Sequence, residues 1–413
     1  MSKQRLDTVV IGGGAAGLAA AIAAKENGID SVLILERNEG LGGILPQCIH
    51  TGFGLHYFKE NLTGPEYITR FIRKVDELQI EYKLETMVLD LTSDRKILAV
   101  NQSEGLTKLQ ANTIVLAMGC RERSRGALCI PGTRPAGIFT AGTAQRLMDI
   151  EGYVPGKKVL ILGSGDVGLI MARRFALEGV EVEAVVEMMP YPGGLDRNLQ
   201  CLRDFRIPLY LNHQAVFIHG SERVEAVTIS MLNDKGQPIA GEEKTIACDT
   251  LVLSAGLIPE NELSKKAGVE LDQKTGGPMV DENMETSVEN IFACGNVVYV
   301  HDLVDHVTQE GEAAGTNAAK RILGKLPMLR RRILLEPEGN IRYVVPQVIG
   351  GQNPLTLYSR VRSPAFNAEI RMGQNIIVRK RVVKPPEVVT IKLTAERLKE
   401  LGKGDHITIS MST

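Results

Sequence analysis

Two glycine-rich fingerprints, about 150 residues apart, constrain this chain more than any other feature. They occupy residues 9–17 and 159–168, and each follows an apolar run that is predicted to be a β-strand. In both places a predicted helix and a second strand come next, and each unit reaches an acidic residue, Glu36 or Glu187. This succession is typical of a dinucleotide-binding βαβ unit. Two such units in one chain indicate that two dinucleotides meet and exchange electrons.

Each glycine of the first fingerprint has its own stereochemical role. Gly12 is expected to form the tight turn, Gly14 to let a pyrophosphate approach the backbone, and Gly17 to let the helix pack on the strand. The helix N-terminus then offers free N–H groups to the phosphates, and Glu36 is expected to accept hydrogen bonds from ribose hydroxyls. The same roles are predicted in the second unit for Gly163, Gly165, Gly168 and Glu187.

The acid of the second unit also predicts which nicotinamide nucleotide binds. Glu187 is followed by Met188 and Met189, and no arginine stands nearby to pair with a 2′-phosphate. A carboxylate at this position therefore favours NAD(H) over NADP(H).

Composition excludes several other classes of function. The net charge is -1, which argues against binding to nucleic acid or to a membrane surface. No apolar run approaches the roughly 20 residues of a spanning helix, and the first residues do not resemble a secretion signal. The cysteines show neither CxxC nor a metal-ligand spacing, so we expect a reducing cytoplasm, no metal site and no iron–sulfur cluster held by this chain. The six cysteines are Cys48, Cys120, Cys129, Cys201, Cys248 and Cys294.

Further motifs extend the pattern beyond the fingerprints. They are the glycine pair Gly42-Gly43, the apolar run 113–119, Ala255-Gly256 with Pro259, and the run 291–296. Over roughly residues 6–325 the chain resembles the pyridine nucleotide–disulfide oxidoreductase superfamily, which are flavoproteins with two dinucleotide-binding domains. Within it, the chain is most similar to thioredoxin-reductase-type enzymes and their relatives that do not reduce disulfides.

The resemblance implies which nucleotide each fingerprint binds. The first takes FAD and the second takes the nicotinamide nucleotide, while the last motif contacts the ribityl and pyrophosphate part of the flavin. Family members usually carry Gly-Asp there, whereas this chain has Gly295-Asn296. The implied cofactor-binding residues are Gly12, Gly14, Ala15, Ala16, Gly17, Glu36, Arg37, Gly42, Gly43, Ala117, Gly119, Gly163, Gly165, Asp166, Val167, Gly168, Glu187, Gly256, Gly295 and Asn296.

The predicted fold class is α/β, with two Rossmann-like domains and a small β-rich C-terminal domain. An FAD-binding domain is expected in two parts, residues 1–120 and 258–327, and an NAD(H)-binding domain between them, residues 121–257. After a boundary near Pro327 the sequence alternates in short β-like runs and carries no fingerprint, which predicts the β-rich domain over residues 328–413.

Two departures from the family matter for the chemistry. Where thioredoxin reductases have CxxC, residues 137–144 contain no cysteine. Where glutathione-reductase-type enzymes have CxxxxC, the segment after Gly42-Gly43 contains one thiol, Cys48, at a different spacing. Electrons that reach the flavin must therefore leave by a route other than a thiol pair.

Two segments, 42–50 and 301–305, resemble a narrower group. These are FAD/NAD subunits found with opine, proline or glycerol-3-phosphate dehydrogenases, often within a hetero-oligomer. That resemblance implies a homodimer, association with a partner dehydrogenase subunit, or both. Some relatives end in a cysteine-rich cluster domain, whereas the tail after Pro327 has no cysteine.

Four residues are candidates for catalysis. By analogy with the family, Asp305 and His306 lie where a helix N-terminus points at the flavin, and the helix dipole would stabilise negative charge there; alternatively, Asp305 only caps that helix. Cys48 and His50 lie in the segment that passes the flavin. Cys48 is either a redox thiol of lowered pKa or a half-buried thiol, with His50 bonded to the backbone.

The predicted function is an FAD-dependent oxidoreductase that passes electrons between NAD(H) and a second donor or acceptor, within a larger dehydrogenase complex. One alternative is a single-cysteine reductase of thiols, peroxides or persulfides that uses Cys48. Another is the direct oxidation of an amine, opine or hydroxy acid. In a fourth interpretation the nucleotides only stabilise the fold of a structural protein, which the two intact fingerprints disfavour.

Overall fold

A computed structural model describes residues 5–329, 331–351, 353–399 and 404–412 of the chain. The chain forms two compact units. The first combines Met1–Cys120 with Pro259–Thr413, and the second is Arg121–Ile258. Among the described residues, no helix has both the length and the apolar character needed to cross a membrane.

The first unit is built on a seven-stranded sheet. Its central strand, Arg5–Ile11, pairs in parallel with Val32–Leu35 on one side and with Gly105–Leu116 on the other. The strand Gly105–Leu116 is long enough to pair twice on its far side, in parallel with Ile291–Ala293 and antiparallel with Lys96–Asn101. The remaining strands of this sheet are Glu81–Lys83 and Met87–Leu91.

Two helices of this unit pack unusually closely. A Cβ atom at Gly311 would lie 2.3 Å from the carbonyl oxygen of Ala16, and one at Gly315 would lie 2.0 Å from that of Ala20. Glycine at both positions therefore lets the helix Val304–Ile322 touch the backbone of the helix Ala15–Glu26. The other helices of the first unit's dinucleotide-binding part are Gly64–Glu77 and Glu262–Lys266, with 3₁₀ turns at Leu45–Gln47 and Gly295–Val297.

The C-terminal part of the first unit has a separate apolar core that includes Ile341, Leu357, Ile370 and Ile409. Two sheets enclose this core. The five-stranded sheet consists of Val348–Ile349, Ile333–Pro337, His406–Ser412, Ala365–Met372 and Asn375–Val383. The three-stranded sheet consists of Ile341–Val345, Leu355–Val361 and Val389–Leu393, and a short helix spans Ala395–Lys399.

The second unit repeats the plan of the first. Its parallel sheet has the order Ile138–Thr140, Thr250–Leu253, Lys158–Leu162, Glu181–Val186 and Leu209–Tyr210. An antiparallel sheet of His213–His219, Ala226–Leu232 and Pro238–Ala247 covers part of it. Its helices are Arg125–Leu128, Ala141–Asp149, Asp166–Leu177 and Asp196–Asp204.

Four short strands complete the fold: Thr51–Phe53, Leu62–Thr63, Cys120–Glu122 and Leu257–Pro259. The predicted α/β class with Rossmann-like sheets is confirmed. Some boundaries differ. The strand predicted over 113–119 begins earlier, at Gly105, and ends at Leu116, because the following residues leave the sheet and approach Gly12.

Candidate functional site

The first fingerprint forms a turn that only glycine fits. Gly12 has φ +108°, and a Cβ atom there would lie 2.4 Å from the carbonyl oxygen of Ala117. A Cβ atom at Gly17 would lie 1.8 Å from the carbonyl oxygen of Gly12. Gly14 is different, since the nearest described atom to its Cβ position is the Cα of Gly43, at 3.7 Å. The turn is therefore tight on the protein side and open where a ligand would approach.

The buried carboxylate of Glu36 supports this turn through hydrogen bonds. The residue is 4% exposed, and its carboxylate accepts hydrogen bonds from the N–H groups of Gly13, at 2.7 Å, and Asn38, at 2.8 Å. A carboxylate has about four acceptor positions, so these two bonds leave capacity for the predicted ribose hydroxyls. Arg37, the next residue, forms an ion pair with Glu260, and its Nη1 lies 3.1 Å from Oε1 of that residue.

The glycine pair after Glu36 packs against the fingerprint. The N–H of Gly42 donates to the carbonyl oxygen of Gly13 at 2.8 Å. Gly43 has φ +60°, and a Cβ atom there would approach the Cα of Gly14 to 3.0 Å. At the end of the neighbouring strand, Gly119 has φ +72° and no described atom within 4 Å of its Cβ position. Gly42 and Gly43 thus lie directly against the open turn of the first fingerprint.

The second unit builds the same turn from different side chains. A Cβ atom at Gly163 would lie 2.0 Å from the carbonyl oxygen of Ser254, and one at Gly168 would lie 2.2 Å from that of Gly163. The Oε2 atom of Glu187 accepts hydrogen bonds from the N–H of Ser164, at 3.0 Å, and from its hydroxyl, at 2.7 Å. Glu187 therefore braces the second turn as Glu36 braces the first.

A second glycine pair, Gly193-Gly194, escaped the sequence analysis. It stands six residues after Glu187, and Gly42-Gly43 stands six residues after Glu36. The N–H of Gly193 donates to the Ser164 hydroxyl at 2.8 Å. The equal spacing was the signal that would have revealed it.

Asp166 and Val167 begin the helix of the second unit. The Asp166 carboxylate accepts hydrogen bonds from the N–H of Leu195, at 2.8 Å, and from the amide of Asn198, at 2.6 Å. Asp166 therefore holds the loop that follows Gly193-Gly194.

The other two predicted residues of this site are also placed by the structure. Val167 is 40% exposed. Gly256, three residues after the strand Thr250–Leu253, has φ +99°, and its carbonyl oxygen accepts the N–H of Arg123.

Both helix N-termini are suited to bind phosphate. Among the described residues, no side chain caps the helix Ala15–Glu26 or the helix Asp166–Leu177. No described atom lies within 4 Å of a Cβ position at Gly165. Uncapped N–H groups at the positive end of a helix attract anions. The residues of both turns thus fit the pyrophosphates of two dinucleotides.

Hydroxyl groups occupy the segment where thioredoxin reductases have their cysteine pair, and a carboxylate from outside the segment binds to it. The hydroxyls of Thr140 and Thr143 lie 2.9 Å apart at the start of the helix Ala141–Asp149. Oε2 of Glu122 accepts the N–H of Gly142 at 2.8 Å, and burial raises the pKa of Glu122. This segment contains no thiol that could exchange with a disulfide.

The run 291–296, called here the third cofactor motif, lies directly against the first fingerprint. Gly295 has φ +75°, and a Cβ atom there would lie 2.8 Å from the Cβ of Ala16. The Oδ1 atom of Asn296 accepts the N–H of His301 at 3.0 Å, and its Nδ2 lies 3.7 Å from the sulfur of Cys120. Asn296, the residue that replaces the usual acid, is therefore held from both sides.

Asp305 does not cap its helix, contrary to the alternative that the sequence left open. The N-cap residue is Leu303. The Asp305 side chain is buried, and its Oδ1 accepts the N–H groups of His56, at 3.2 Å, and Tyr57, at 2.7 Å. Burial, together with the two nearby imidazoles of His301 and His56, lowers the pKa of His306. Asp305 thus fixes the 56–57 loop over the start of this helix.

Cys48 and His50 are each bonded to the backbone. Cys48 is 9% exposed, and its sulfur lies 3.4 Å from the carbonyl oxygen of Ile44. Nδ1 of His50 lies 3.1 Å from the carbonyl oxygen of Thr51. The segment does not form a strand here, since Cys48 ends the 3₁₀ turn Leu45–Gln47. Both side chains therefore lie as in the second of the two alternatives, a largely buried thiol and a histidine bonded to the backbone.

The C-terminal part holds the loop between Asn296 and Asp305. Arg360 pairs with the carboxylate of Asp302, which also accepts the N–H of Val388 at 2.5 Å. Nε of Arg360 donates to the hydroxyl of Tyr343 at 3.3 Å. Sequence reasoning missed this contact, because no local pattern links residues this far apart in the chain.

Comparison with known proteins shows what the chain is similar to. Residues 6–318 match the family described as pyridine nucleotide-disulphide oxidoreductase. The chain is 24% identical over 343 residues to an opine oxidase subunit from Agrobacterium tumefaciens, and the alignment covers 78% of this chain and 66% of that protein. It is 27% identical over 334 residues to the NAD(P)H coenzyme A polysulfide/persulfide reductase of Pyrococcus horikoshii, covering 77% and 69%.

A solved structure shares the fold. Thioredoxin reductase of T. acidophilum superposes with a TM-score of 0.64 at 23% sequence identity, covering 78% of this chain and all of that one. The chain spans slightly less than two thirds of the opine oxidase protein that it matches.

Proposed function

Because the chain belongs to the pyridine nucleotide-disulphide oxidoreductase family, and is thereby an FAD-dependent pyridine nucleotide oxidoreductase, we propose that it passes electrons between NAD(H) and a partner dehydrogenase subunit. The observation that carries this proposal is the pair of open glycine turns, each braced by a carboxylate, in a chain without the family's thiol pair. When bound, FAD accepts a hydride from the nicotinamide and holds two electrons for the next acceptor.

The first turn is the proposed FAD site. The N–H groups at the start of the helix Ala15–Glu26 bind the pyrophosphate, and Glu36 binds the adenosine ribose while it braces Gly13. Gly295 brings the third motif against the same turn. These residues would position the cofactor, and positioning is most of what hydride transfer requires of a protein.

The second turn is the proposed NAD(H) site. Glu187 presents a carboxylate where NADP(H) carries its 2′-phosphate, and like charges repel there. The acid is held in place by three hydrogen bonds, two from Ser164 and one from the N–H of Met189 at 3.0 Å. A fixed carboxylate supports a preference for NADH, although the names of relatives include both nucleotides.

A partner protein is proposed as the second donor or acceptor. The segment that would carry the CxxC motif has hydroxyl groups instead, so thiol exchange does not offer an exit for the electrons. One similar protein is named as part of opine oxidase, which supports the assignment of this chain to a hetero-oligomer. The substrate of that partner stays outside the proposal.

Anaerobic titration of the purified holoenzyme with NADH tests the proposal. We expect the flavin absorbance to bleach with one NADH per flavin, and a second polypeptide to co-elute when the chain is purified from its own cells. If the flavin stays oxidised after NADH is added, the proposed function is wrong.

A second candidate is a reductase of persulfides or related thiols that uses Cys48. The similarity to a polysulfide/persulfide reductase favours it, and Cys48 follows the glycine pair that packs on the first turn. Burial of the sulfur against Ile44 argues against it. Replacement of Cys48 by serine separates the two candidates.

A further inference from the structure

The C-terminal part of the chain is strongly basic, and the proposed function gives this charge no role. Residues 328–413 contain fifteen Lys and Arg against seven Asp and Glu, although the whole chain has a net charge of -1. This part lies beyond residue 318, where the match to the family ends. Arg360 pairs one of these charges with Asp302, and three others lie side by side on an exposed strand.

These three residues lie on the last strand of the five-stranded sheet. They are Arg379, Lys380 and Arg381 of the strand Asn375–Val383, which forms a hairpin with the strand before it, called here the 365–383 hairpin. Nε of Arg379 lies 3.0 Å from Oε1 of Glu369 across the hairpin. Lys380 and Arg381 form no ion pair with any residue that the structure describes. Two positive charges are therefore available to a molecule outside the chain.

The same strand is an edge of its sheet. It pairs in antiparallel with Ala365–Met372, and no described strand pairs with its other side. Arg397 donates to the carbonyl oxygen of Ile377 at 2.9 Å, which occupies one backbone group near the start of this edge. In an antiparallel strand, alternate residues point their N–H and C=O groups away from the neighbouring strand. The stretch 379–382 therefore offers backbone groups with which another strand can pair.

Two apolar side chains lie exposed beside these cations. Phe366 and Val382 are direct register partners in the 365–383 hairpin, and the residues are 67% and 40% exposed. Side chains at such positions lie about 5 Å apart on the same face of the sheet. Charged residues alone would be explained as protection of the edge against unwanted strand pairing. That explanation does not cover an aromatic ring exposed next to them, because exposed aromatic rings promote association.

A polypeptide fits this hairpin better than a nucleic acid or a membrane does. An extended segment can continue the sheet through main-chain hydrogen bonds along residues 379–382, which phosphate backbones and lipid headgroups cannot form in register. Acidic side chains of the segment pair with Lys380 and Arg381, and an apolar one covers Phe366. Aromatic and arginine side chains are also enriched where proteins bind one another. The strand has nine residues, about 30 Å of edge along which such a segment can align.

We propose that the 365–383 hairpin is the docking surface for an acidic, extended segment of the partner dehydrogenase subunit. This inference rests on the proposed function, which requires such a subunit. The segment adds to the sheet at residues 379–382, its carboxylates meet Lys380 and Arg381, and the ring of Phe366 anchors it. Opposite charges on the two surfaces speed their encounter and fix the orientation in which they bind.

The affinity of the holoenzyme for its co-purified polypeptide tests the inference. The polypeptide that co-elutes from the native cells is isolated, labelled with a fluorophore and titrated with holoenzyme at low and at physiological salt. The double variant Lys380→Glu with Arg381→Glu should raise Kd by roughly tenfold or more at low salt and flatten its dependence on salt. An unchanged Kd in this double variant overturns the inference, as does binding by the unaltered protein that salt does not weaken.

Further variants separate this surface from the overall charge of the chain. Lys108→Glu with Lys235→Glu makes the same change of charge at two exposed positions outside the C-terminal part, and should leave Kd unchanged. An equal loss of affinity in this control overturns the inference. Phe366→Ser should raise Kd roughly tenfold and keep the dependence on salt; an unchanged Kd there overturns the anchoring by the ring. The flavin absorbance and the Tm of each variant show that it is folded.

Other occupants of a basic sheet edge give different results. Light scattering could show that the isolated chain is a dimer and that the double variant is a monomer which still binds the polypeptide. The hairpin would then belong to a second copy of the chain. Binding to phosphatidylglycerol vesicles or to duplex DNA that the double variant loses, while it still binds the polypeptide, would assign the hairpin to a membrane or to nucleic acid. Each of these results overturns the inference.

These measurements also distinguish this inference from the proposed function. Binding is measured without NADH, so a flavin that NADH does not reduce shows the proposed function to be wrong and leaves the docking test intact. If NADH reduces the flavin and the double variant binds the polypeptide as tightly as the unaltered protein does, only the docking inference is wrong. If no polypeptide co-elutes at low salt, the docking inference is overturned, whereas the titration with NADH still tests the exchange of electrons with the flavin.

Discussion

Arg360 and Asp302 form an ion pair that is mostly buried, with side chains 16% and 19% exposed. The pair attaches the C-terminal part of the chain to the loop that carries His301. Arg360 also contacts the hydroxyl of Tyr343, and Asp302 accepts the N–H of Val388. The C-terminal part is thus bound to the segment next to the third cofactor motif within the first unit.

Removal of one member of this pair should destabilise the first unit. Arg360→Met leaves the Asp302 carboxylate buried without its counter-charge, which costs about 3 kcal/mol of unfolding free energy. Urea denaturation of the holoenzyme measures the loss. Arg362→Met, an exposed position just after the same strand, is the matched control and should change little. Adding Asp302→Asn to Arg360→Met should recover part of the stability, and failure to recover any would contradict the pairing argument.

Two glycines of the second fingerprint should respond differently to alanine. At Gly168 a Cβ atom would lie 2.2 Å from a backbone oxygen, whereas at Gly165 no described atom lies within 4 Å. Gly168→Ala should therefore unfold the second unit or lower its Tm strongly. Gly165→Ala should keep the Tm and weaken NADH binding by roughly tenfold or more, because the methyl group occupies the space proposed for the pyrophosphate.

The binding of nucleotide to Gly165→Ala is measured by the NADH concentration that gives half-maximal flavin reduction. FAD content should be unaffected, since the first turn is unchanged. Gly40→Ala is a control for the substitution itself, because its φ is not positive and no described atom lies within 4 Å of its Cβ position. Normal NADH binding by Gly165→Ala would place the nucleotide elsewhere.

Glu187 should decide between the two nicotinamide nucleotides. Glu187→Ser removes the carboxylate that braces Ser164 and, by the proposal, binds the ribose of NADH. Loss of a charged hydrogen-bond partner costs about 1.5–3 kcal/mol, so kcat/KM for NADH should fall roughly 10- to 100-fold while that for NADPH falls less. Glu181→Ser, at the exposed start of the same strand, should leave the ratio of the two values unchanged.

Cys48→Ser should retain NADH-driven reduction of the flavin and of the natural acceptor. The sulfur is buried against the carbonyl oxygen of Ile44, and a serine hydroxyl can donate to the same oxygen. Steady-state turnover with the co-purified partner is the measurement. Loss of turnover with intact flavin reduction would favour the thiol reductase candidate instead.

Asp281 should make the first unit less stable as the pH rises from about 4 to 6. Burial raises the pKa of Asp281 from 3.8 to about 6, so in this range the folded chain binds more protons than the unfolded chain. Stability then falls with rising pH, by up to about 1.4 kcal/mol per unit. Asp281→Asn keeps an acceptor for the N–H groups of Asn283 and Glu285, and should flatten this part of the pH profile of urea denaturation.

The sequence predicts the dinucleotide-binding units well, because their requirements are local. Strand, glycine turn and helix follow one another within about 20 residues. The strands Lys158–Leu162 and Glu181–Val186 stand before and after the second glycine turn and its helix, in the predicted order. The antiparallel sheet that begins at His213 was not predicted, since its polar, partly exposed strands lack a clear alternation.

The contacts of the buried acids Asp302 and Asp305 could not be predicted from the sequence, for a different reason. Asp305 was singled out, but its partners, the N–H groups of His56 and Tyr57, are about 250 residues away in the chain. The contact of Arg360 with Asp302 is also non-local. Such contacts depend on how distant elements pack, and no periodicity or spacing encodes them.

The spacing shared by Gly42-Gly43 and Gly193-Gly194 has a consequence for how the protein tells its two nucleotides apart. If the two glycine turns share one backbone conformation, the glycines cannot determine which nucleotide each turn binds. The choice between FAD and NAD(H) must therefore come from corresponding positions at which the two units carry different residues. Two examples are Gly13, which corresponds to Ser164, and Arg37, which corresponds to Met188. Exchanging those side chains between the two units, while every glycine shared by both spacings is kept, is therefore a way to change the nucleotide preference of each turn.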